Sequence, residues 1–192
     1  SIKKLHKTND GNNNLSKSFR RIVFDELCAN FFTLSESRKR IRKNKTPKKF
    51  LKSKSNLIIK KLPFSLTKSQ QIVLKEINED LSGEKRMFRI IQGDVGSGKT
   101  IISLLAISNV IESGYQCALM GPTEILAKQH FELSKKIYKN LDLKIDFLSG
   151  KTEAKNRKKI LMNLESGKTN LLIGTHALFQ KKILFKKLGL VI

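Results

Sequence analysis

Acidic residues, cysteine and proline are scarce in this sequence, and tryptophan is absent. Its 192 residues include 16 Asp and Glu against 39 Lys and Arg, with two Cys, three Pro and no Trp. Cys28 and Cys117 lie far apart, as do the histidines, which argues against both a disulfide framework and a structural zinc site. No apolar run approaches the roughly 20 residues of a membrane span, and the N-terminus lacks a signal-peptide pattern. A cytoplasmic protein with no membrane partner is therefore expected.

The surplus of basic residues gives the chain a formal net charge of +23. A field of this sign attracts polyanions, so nucleic acid is the first partner to consider, although lysine also fills solvated helix faces. Between Ser37 and Lys75 no acidic residue occurs, and a run of one sign is not typical of a balanced solvated face. The basic residues that crowd this run are Arg38, Lys39, Arg40, Arg42, Lys43, Lys45, Lys48, Lys49, Lys52 and Lys54.

The N-terminal part of the chain has the pattern of a mainly helical segment. Residues 1–16 are polar and predict a loop or linker. Apolar residues recur at helical spacing from Ser18 to Arg42, which predicts a long amphipathic helix. A second helix is predicted from Leu66 to Leu81, because Thr67 followed three residues later by Gln70 is the pattern of a capping box.

In the rest of the chain, short apolar runs alternate with helical patterns. Such alternation predicts an α/β fold with βαβ units and a parallel sheet, whose ligands lie at the carboxyl ends of the strands. The predicted strands are Phe88–Gln92, Gln116–Met120, Lys144–Leu148, Asn170–Ile173 and the final apolar run Leu188–Ile192. The predicted helices are Lys99–Ser113, Glu124–Lys139 and Thr152–Glu165.

The run GDVGSGKT, Gly93 to Thr100, matches the phosphate-binding Walker A pattern and lies between a predicted strand and a predicted helix. Its glycines let backbone N–H groups turn inward onto phosphate oxygens, and the helix N-terminus adds a partial positive charge. Lys99 is expected to reach the β- and γ-phosphates and the Thr100 hydroxyl to hold Mg²⁺, so both are catalytic candidates and ATP with Mg²⁺ is the expected cofactor. The alternative is a glycine-rich turn with an exposed lysine. The expected nucleotide-binding residues of the loop are Gly93, Asp94, Val95, Gly96, Ser97, Gly98, Lys99 and Thr100.

The ends of the chain suggest a fragment, because Ser1 stands in place of an initiator Met and the last apolar run stops in mid-element. We expect a helical linker with the basic run at residues 1–61 and the N-terminal part of an ATP-binding domain at residues 62–192. Hydrolysis in this class needs a later carboxylate that completes the Mg²⁺ shell, and none is reached before Ile192. The chain alone is therefore expected to bind nucleotide without turning it over.

Several runs of sequence resemble the RecG family of branch-migration DNA helicases. They are LPFSLTKSQ from Leu62, IIQGDVGSGKT from Ile90, GYQCALMGPTEILAKQHF from Gly114 and IGTHALFQ from Ile173, in the order of that family's first motor domain. The run FRRIVFDELCANFF from Phe19 is similar to the helical segment between the family's DNA-binding wedge domain and its motor. The transcription-repair coupling helicase and the primosomal helicase share this motor type and are the alternatives.

This resemblance implies a P-loop NTPase fold with a RecA-like parallel sheet, truncated before completion. It also implies an ATP-dependent DNA helicase that remodels branched double-stranded DNA, including Holliday junctions and stalled forks, in recombination and repair. No obligate protein partner is evident. The carboxylate motif, the second motor domain and the wedge domain of that family are expected to lie outside this chain.

The resemblance further implies roles for residues outside the phosphate loop, each with a simpler alternative. Gln70, with Thr67 and Phe64, falls on the motif that recognises adenine, although Thr67 and Gln70 could serve only as helix caps. Residues expected to contact DNA are Pro122, Thr123 and Glu124, then Gly150, then Thr175 and His176. The alternatives are an N-cap at Thr123, a simple turn at Gly150 and a structural histidine at His176. Gly121 replaces the family's more usual Ala, a change expected only to add backbone freedom.

Overall fold

The computed structural model describes residues 12–41, 44–45, 50–51, 53–180 and 183–192. The chain forms two compact units, residues 1–45 with 85–88 and residues 46–84 with 89–192. The division predicted between residues 61 and 62 stays a prediction. None of the helices in the described ranges is long and apolar enough to cross a membrane.

The first unit contains the long helix α1, Asn12–Ile41. The loop predicted for residues 1–16 is therefore wrong for residues 12–16, which form the first turns of this helix. The apolar stripe of α1 is exposed at Phe19, Leu27 and Phe31. Most side chains of the basic run, from Arg38 to Lys52, lie outside the described residues.

The second unit begins with helices α2, Ser53–Lys61, and α3, Lys68–Ser82. The capping box predicted for α3 is confirmed, because Thr67 Oγ1 accepts from Gln70 N at 3.2 Å and Gln70 Oε1 accepts from Thr67 N at 2.9 Å. Helix α2 was not predicted as a separate helix; it buries Ile58 and packs on the helix Lys99–Glu112.

The remaining elements form a four-stranded parallel sheet in the order β2-β3-β1-β4. Register pairs Cys117 of β1 with Leu171 of β3, and Ile145 of β2 with the same Leu171. The predicted parallel α/β fold is confirmed. The elements are α4 Lys99–Glu112, β1 Gln116–Met120, α5 Glu124–Ile137, β2 Ile145–Leu148, α6 Ala154–Glu165, β3 Leu171–Gly174, a 3₁₀ helix His176–Phe179 and β4 Leu188–Val191.

The strand predicted at Phe88–Gln92 is wrong. Residues 86–92 join no ladder with the strands of this sheet, and Phe88 and Ile90 keep 68% and 87% of their surface exposed. A strand needs a partner for its backbone, and among the described strands this segment has none. The side chain of Arg89 instead contacts Glu76 and Asp80 on α3.

Gln116, buried at the start of β1, joins three segments at the amino ends of the strands. Its Nε2 donates to the carbonyls of Leu164 and Thr169 at 2.8 Å each, and its Oε1 accepts from Lys187 N at 3.0 Å. All three partners are backbone groups, and the carbonyl of Leu164 also accepts from Gly167 N at 3.1 Å. One side chain therefore anchors α6 and the segments that lead into β3 and β4.

Replacing Gln116 with methionine keeps the volume of the side chain and removes these hydrogen bonds. We expect a loss of about 3 kcal/mol in the free energy of unfolding, because three hydrogen bonds to backbone groups are lost at about 1 kcal/mol each. The thermal midpoint should fall by roughly 6–12 °C in a chain of this size, measured by circular dichroism. Gln129, exposed on α5, is the matched control, and its methionine variant should unfold as the wild type does. Equal midpoints for the two variants would contradict the anchoring role.

Candidate nucleotide and nucleic-acid sites

The predicted phosphate loop connects the segment after residue 88 to the N-terminus of α4. Gly96 and Gly98 have φ values of 84° and 82°, in the left-handed region that glycine adopts without strain. Gly98 is the N-cap of α4 and has no side chain to cap the helix, so nothing from this residue covers the N–H groups of the first turn. Asp94 and Val95 are exposed at the loop tip, and Thr100 is half-buried in the first helical turn.

Lys99 is folded back into its own loop. Its Nζ donates to the carbonyl oxygens of Gly93 at 2.7 Å and Asp94 at 2.6 Å, and it lies 3.4 Å from Ser97 Oγ. The ammonium group is thus held inside the curve of the loop by neutral acceptors. Phosphate oxygens carry charge and form stronger bonds to an ammonium group than carbonyls do.

The N-terminus of α3 contacts the loop through Gln70. Its Nε2 donates to the carbonyl of Ser97 at 2.9 Å, while its Oε1 serves the capping box. The contact is close, because a Cβ added at Gly98 would lie 2.5 Å from Gln70 Nε2. The structure therefore brings Thr67 and Gln70 to the phosphate loop, and the capping role of both residues is observed. Phe64 lies elsewhere, in an open groove of about 560 Å³ that Gln71 rather than Gln70 lines.

The candidate DNA-binding residues follow the carboxyl ends of three neighbouring strands. Pro122 and Thr123 follow β1, Gly150 follows β2, and Thr175 follows β3. These ends are joined by two backbone hydrogen bonds, Gly121 N to Gly174 O at 2.8 Å and Thr175 N to Leu148 O at 3.3 Å. The structure thus gathers the residues predicted from separate runs at one edge of the sheet, which we name the strand-end edge.

The individual side chains at the strand-end edge have different surroundings. Thr123 caps α5, accepting from Leu126 N at 3.3 Å, as the alternative interpretation of this residue predicted. Glu124 forms an ion pair with Lys151 at 3.8 Å, which links the loops that follow β1 and β2. His176 is exposed at the start of the 3₁₀ helix. A Cβ at Gly150 would meet nothing within 4 Å, so this turn is open to solvent.

The structure corrects the role expected for Gly121. Its φ is not in the left-handed region, so the backbone does not use the freedom of glycine. Instead, a Cβ at this position would lie 2.7 Å from the backbone nitrogen of Ala127. Gly121 therefore permits a close approach between the end of β1 and the first turn of α5.

Arg89, four residues before the phosphate loop, makes a contact that the sequence did not predict. Its Nε contacts Asp80 Oδ2 at 2.7 Å and its Nη1 contacts Glu76 Oε2 at 2.5 Å. The hydrogen bond to Asp80 raises the pKa of Arg89 above its usual value. The available signal was the spacing of Glu76 and Asp80, which lie four residues apart and share one face of the predicted helix.

The chain has a parallel sheet with flanking helices and a glycine loop that encloses a lysine at a helix N-terminus. These features define a nucleotide-binding protein of the phosphate-loop class with a RecA-like sheet. The family model of the DEAD/DEAH box helicases matches residues 67–192. The chain belongs to the DEAD/DEAH box helicase family.

Similar proteins carry the name ATP-dependent DNA helicase RecG. The protein from Aquifex aeolicus is 41% identical over 100% of this chain and 25% of its own length. The protein from Synechocystis is 39% identical over 93% of this chain and 22% of its own length. A solved structure, RecG bound to a three-way DNA junction, matches with a TM-score of 0.80 and 38% identity over 92% of this chain and 24% of that one. The chain thus spans about 25% of the length of the first of these relatives.

Proposed function

We propose that this chain is the ATP-binding part of an ATP-dependent DNA helicase that remodels branched double-stranded DNA, such as Holliday junctions and stalled forks. The observation that carries this proposal is the likeness to RecG bound to a three-way DNA junction, at a TM-score of 0.80 over 92% of the chain. The formal charge of +23 supports a polyanionic partner. Such a helicase acts in recombination and repair and works in the cytoplasm.

The phosphate loop is proposed to bind ATP with Mg²⁺. Its residues fit this ligand, because the glycine cradle is open to phosphate and already encloses an ammonium group. On binding, Lys99 exchanges the carbonyls of Gly93 and Asp94 for the β- and γ-phosphates. The Thr100 hydroxyl would hold the metal ion, and the bound nucleotide would supply the phosphoryl group that the intact motor transfers to water.

Gln70 is proposed to recognise adenine while it keeps both observed contacts. A carboxamide has two N–H donors and an oxygen with two lone pairs, and the structure uses one donor toward Ser97 and one lone pair toward Thr67. One donor and one lone pair are left, which is the pair that adenine N7 and N6–H₂ require. Capping and recognition are therefore compatible in one side chain, with Thr67 fixing its orientation. The contact expected between Phe64 and the nucleotide stays a prediction, because Phe64 lines a groove that Gln70 does not.

The strand-end edge is proposed to hold DNA phosphates. Thr123 and Thr175 offer hydroxyl groups, and the exposed turns at Pro122 and Gly150 let a backbone approach closely. His176 is exposed beside them. The role proposed for Glu124 in DNA binding is indirect, because a carboxylate repels phosphate and the Glu124 carboxylate pairs with Lys151. Lys151 is then the cation at this edge that reaches DNA.

Replacing Lys151 with alanine is expected to weaken binding of a duplex oligonucleotide. The loss of one phosphate contact should reduce the slope of log affinity against log salt by about 0.9, measured by fluorescence anisotropy at several salt concentrations. Lys75, an exposed lysine on α3 that also pairs with a carboxylate, is the matched control and its alanine variant should keep the wild-type slope. An unchanged slope in the Lys151→Ala variant would remove Lys151 from the DNA contact.

The test of the proposed function uses the intact gene product that contains this chain. We expect it to convert a three-way junction into separated duplexes only when ATP is present, with conversion abolished by Lys99→Ala and junction binding retained. Displacement of stalled RNA polymerase without junction conversion would instead identify the related coupling translocase. No nucleotide-dependent activity on any DNA would refute the proposal.

A further inference from the structure

Helix α3 contacts the phosphate loop and the segment that leads into it at two separate places. Near its N-terminus, Gln70 Nε2 donates to the carbonyl of Ser97, at the far end of the loop. Two to three turns further on, Glu76 and Asp80 hold the guanidinium of Arg89, which precedes the loop by four residues. The loop is thus attached to one helix at both its entry and its exit.

The Arg89 contact joins the entry segment, residues 86–92, to helix α3. Residues 86–92 pair with none of the described strands, and the flanking side chains of Phe88 and Ile90 are 68% and 87% exposed. The intervening side chains of Met87 and Ile91 are half-buried, and Arg89 adds a directed polar contact between this segment and α3. The planar guanidinium meets two carboxylates at once, with Nε on Asp80 and Nη1 on Glu76, and this arrangement fixes direction as well as distance.

We infer that Arg89 is a positioning residue for ATP: it keeps the phosphate loop in a fixed position relative to the end of α3 that is proposed to recognise adenine. This inference rests on the nucleotide site proposed above. ATP spans both parts, since its phosphates occupy the loop and its base meets Gln70. Inorganic triphosphate occupies the loop alone. Loss of the Arg89 contact should therefore weaken ATP binding more than it weakens triphosphate binding.

The experiment measures the dissociation constants of ATP and of inorganic triphosphate, each with Mg²⁺, by isothermal titration calorimetry on the wild-type chain and on variants. We expect Arg89→Gln to weaken ATP binding about fivefold, the upper range for a partly exposed ion pair, and triphosphate binding less than twofold. Arg89→Lys should recover part of the ATP affinity, because an ammonium group reaches one carboxylate but lacks the planar fork.

Two further variants control for general effects on folding. The Arg21→Gln variant breaks an exposed ion pair with Asp25 on α1, in the other unit, and should leave both affinities unchanged. The double variant Glu76→Gln with Asp80→Asn should reproduce the Arg89→Gln result, and adding Arg89→Gln to it should cause no further loss.

The outcomes separate this inference from the proposed function. Equal losses for ATP and triphosphate in the Arg89→Gln variant, or no loss for either, would overturn the positioning role. The proposed nucleotide site itself fails if the wild-type chain binds neither ligand, or if Lys99→Ala binds both as the wild type does. Additive losses in the combined variant would also overturn the inference, because they would show that Arg89 acts independently of the two carboxylates.

Discussion

The Lys99→Ala variant is expected to bind a fluorescent ATP analogue with Mg²⁺ about 100-fold more weakly than the wild type. The physical reason is that a hydrogen bond to a charged group contributes about 1.5–3 kcal/mol, and Lys99 exchanges two carbonyl acceptors for charged phosphate oxygens. The free energy of unfolding should change little, because the side chain contacts only its own loop. Fluorescence titration and thermal unfolding of the same samples measure both quantities.

Lys128, exposed on α5, supplies the matched control for this prediction. Its alanine variant removes the same charge from the chain, so it separates a site effect from a change in net charge. Wild-type affinity is expected for this variant. If Lys99→Ala and Lys128→Ala bound the analogue equally well, the loop would not be engaging phosphate.

The second large effect is expected at Gly98, where alanine meets two obstacles. An alanine here would have to adopt the φ of 82°, in the left-handed region, at a cost of roughly 1–2 kcal/mol. In addition, the new Cβ would lie 2.5 Å from Gln70 Nε2, which displaces the contact between α3 and the loop. We expect Gly98→Ala to weaken nucleotide binding at least about tenfold and to lower the thermal midpoint.

A variant at Gly96 distinguishes the conformational cost from the steric clash at Gly98. The φ of Gly96 is 84°, but a Cβ there meets nothing within 4 Å. Gly96→Ala should therefore show the conformational cost alone. Combining Gly98→Ala with Gln70→Ala should bring its stability close to that of Gln70→Ala with Gly96→Ala. Identical affinities of the two single variants would show that the Gln70 contact has no influence on the loop.

Features of the fold that depend on local hydrogen bonding could be predicted from the sequence. The capping box of α3 and the cap of α5 at Thr123 are formed by side chains within three residues of their partners, so their patterns are visible in a short window. Strand β1 was predicted with its observed bounds, because a short apolar run between a glycine and a turn is typical of a buried strand.

Features that depend on distant partners could not be predicted in the same way. The run Phe88–Gln92 has the composition of a strand, but pairing is decided by a neighbour that a single run does not reveal. Helix α2 is stabilised by packing on α4 rather than by its own caps. The contact of Arg89 could not be predicted for the same reason, because its carboxylate partners belong to another element.

The candidate site was predicted in its residues but not in its geometry. The GDVGSGKT run indicates which groups bind phosphate, whereas the enclosed position of Lys99 and the link from Gln70 to Ser97 follow from the folded loop. Likewise, three separate runs suggested DNA contacts, and only the strand order shows that they share one edge. The nucleotide and DNA roles of these residues stay predictions until binding is measured.

The order of the strands sets the width of the strand-end edge, for which a DNA contact is proposed. Neighbouring strands of a sheet are about 4.8 Å apart, so the ends of β2 and β1, with β3 between them, are separated by about 10 Å. A strand of duplex DNA advances about 3.4 Å per nucleotide. The DNA contact proposed for this edge would therefore span about three nucleotides of one strand.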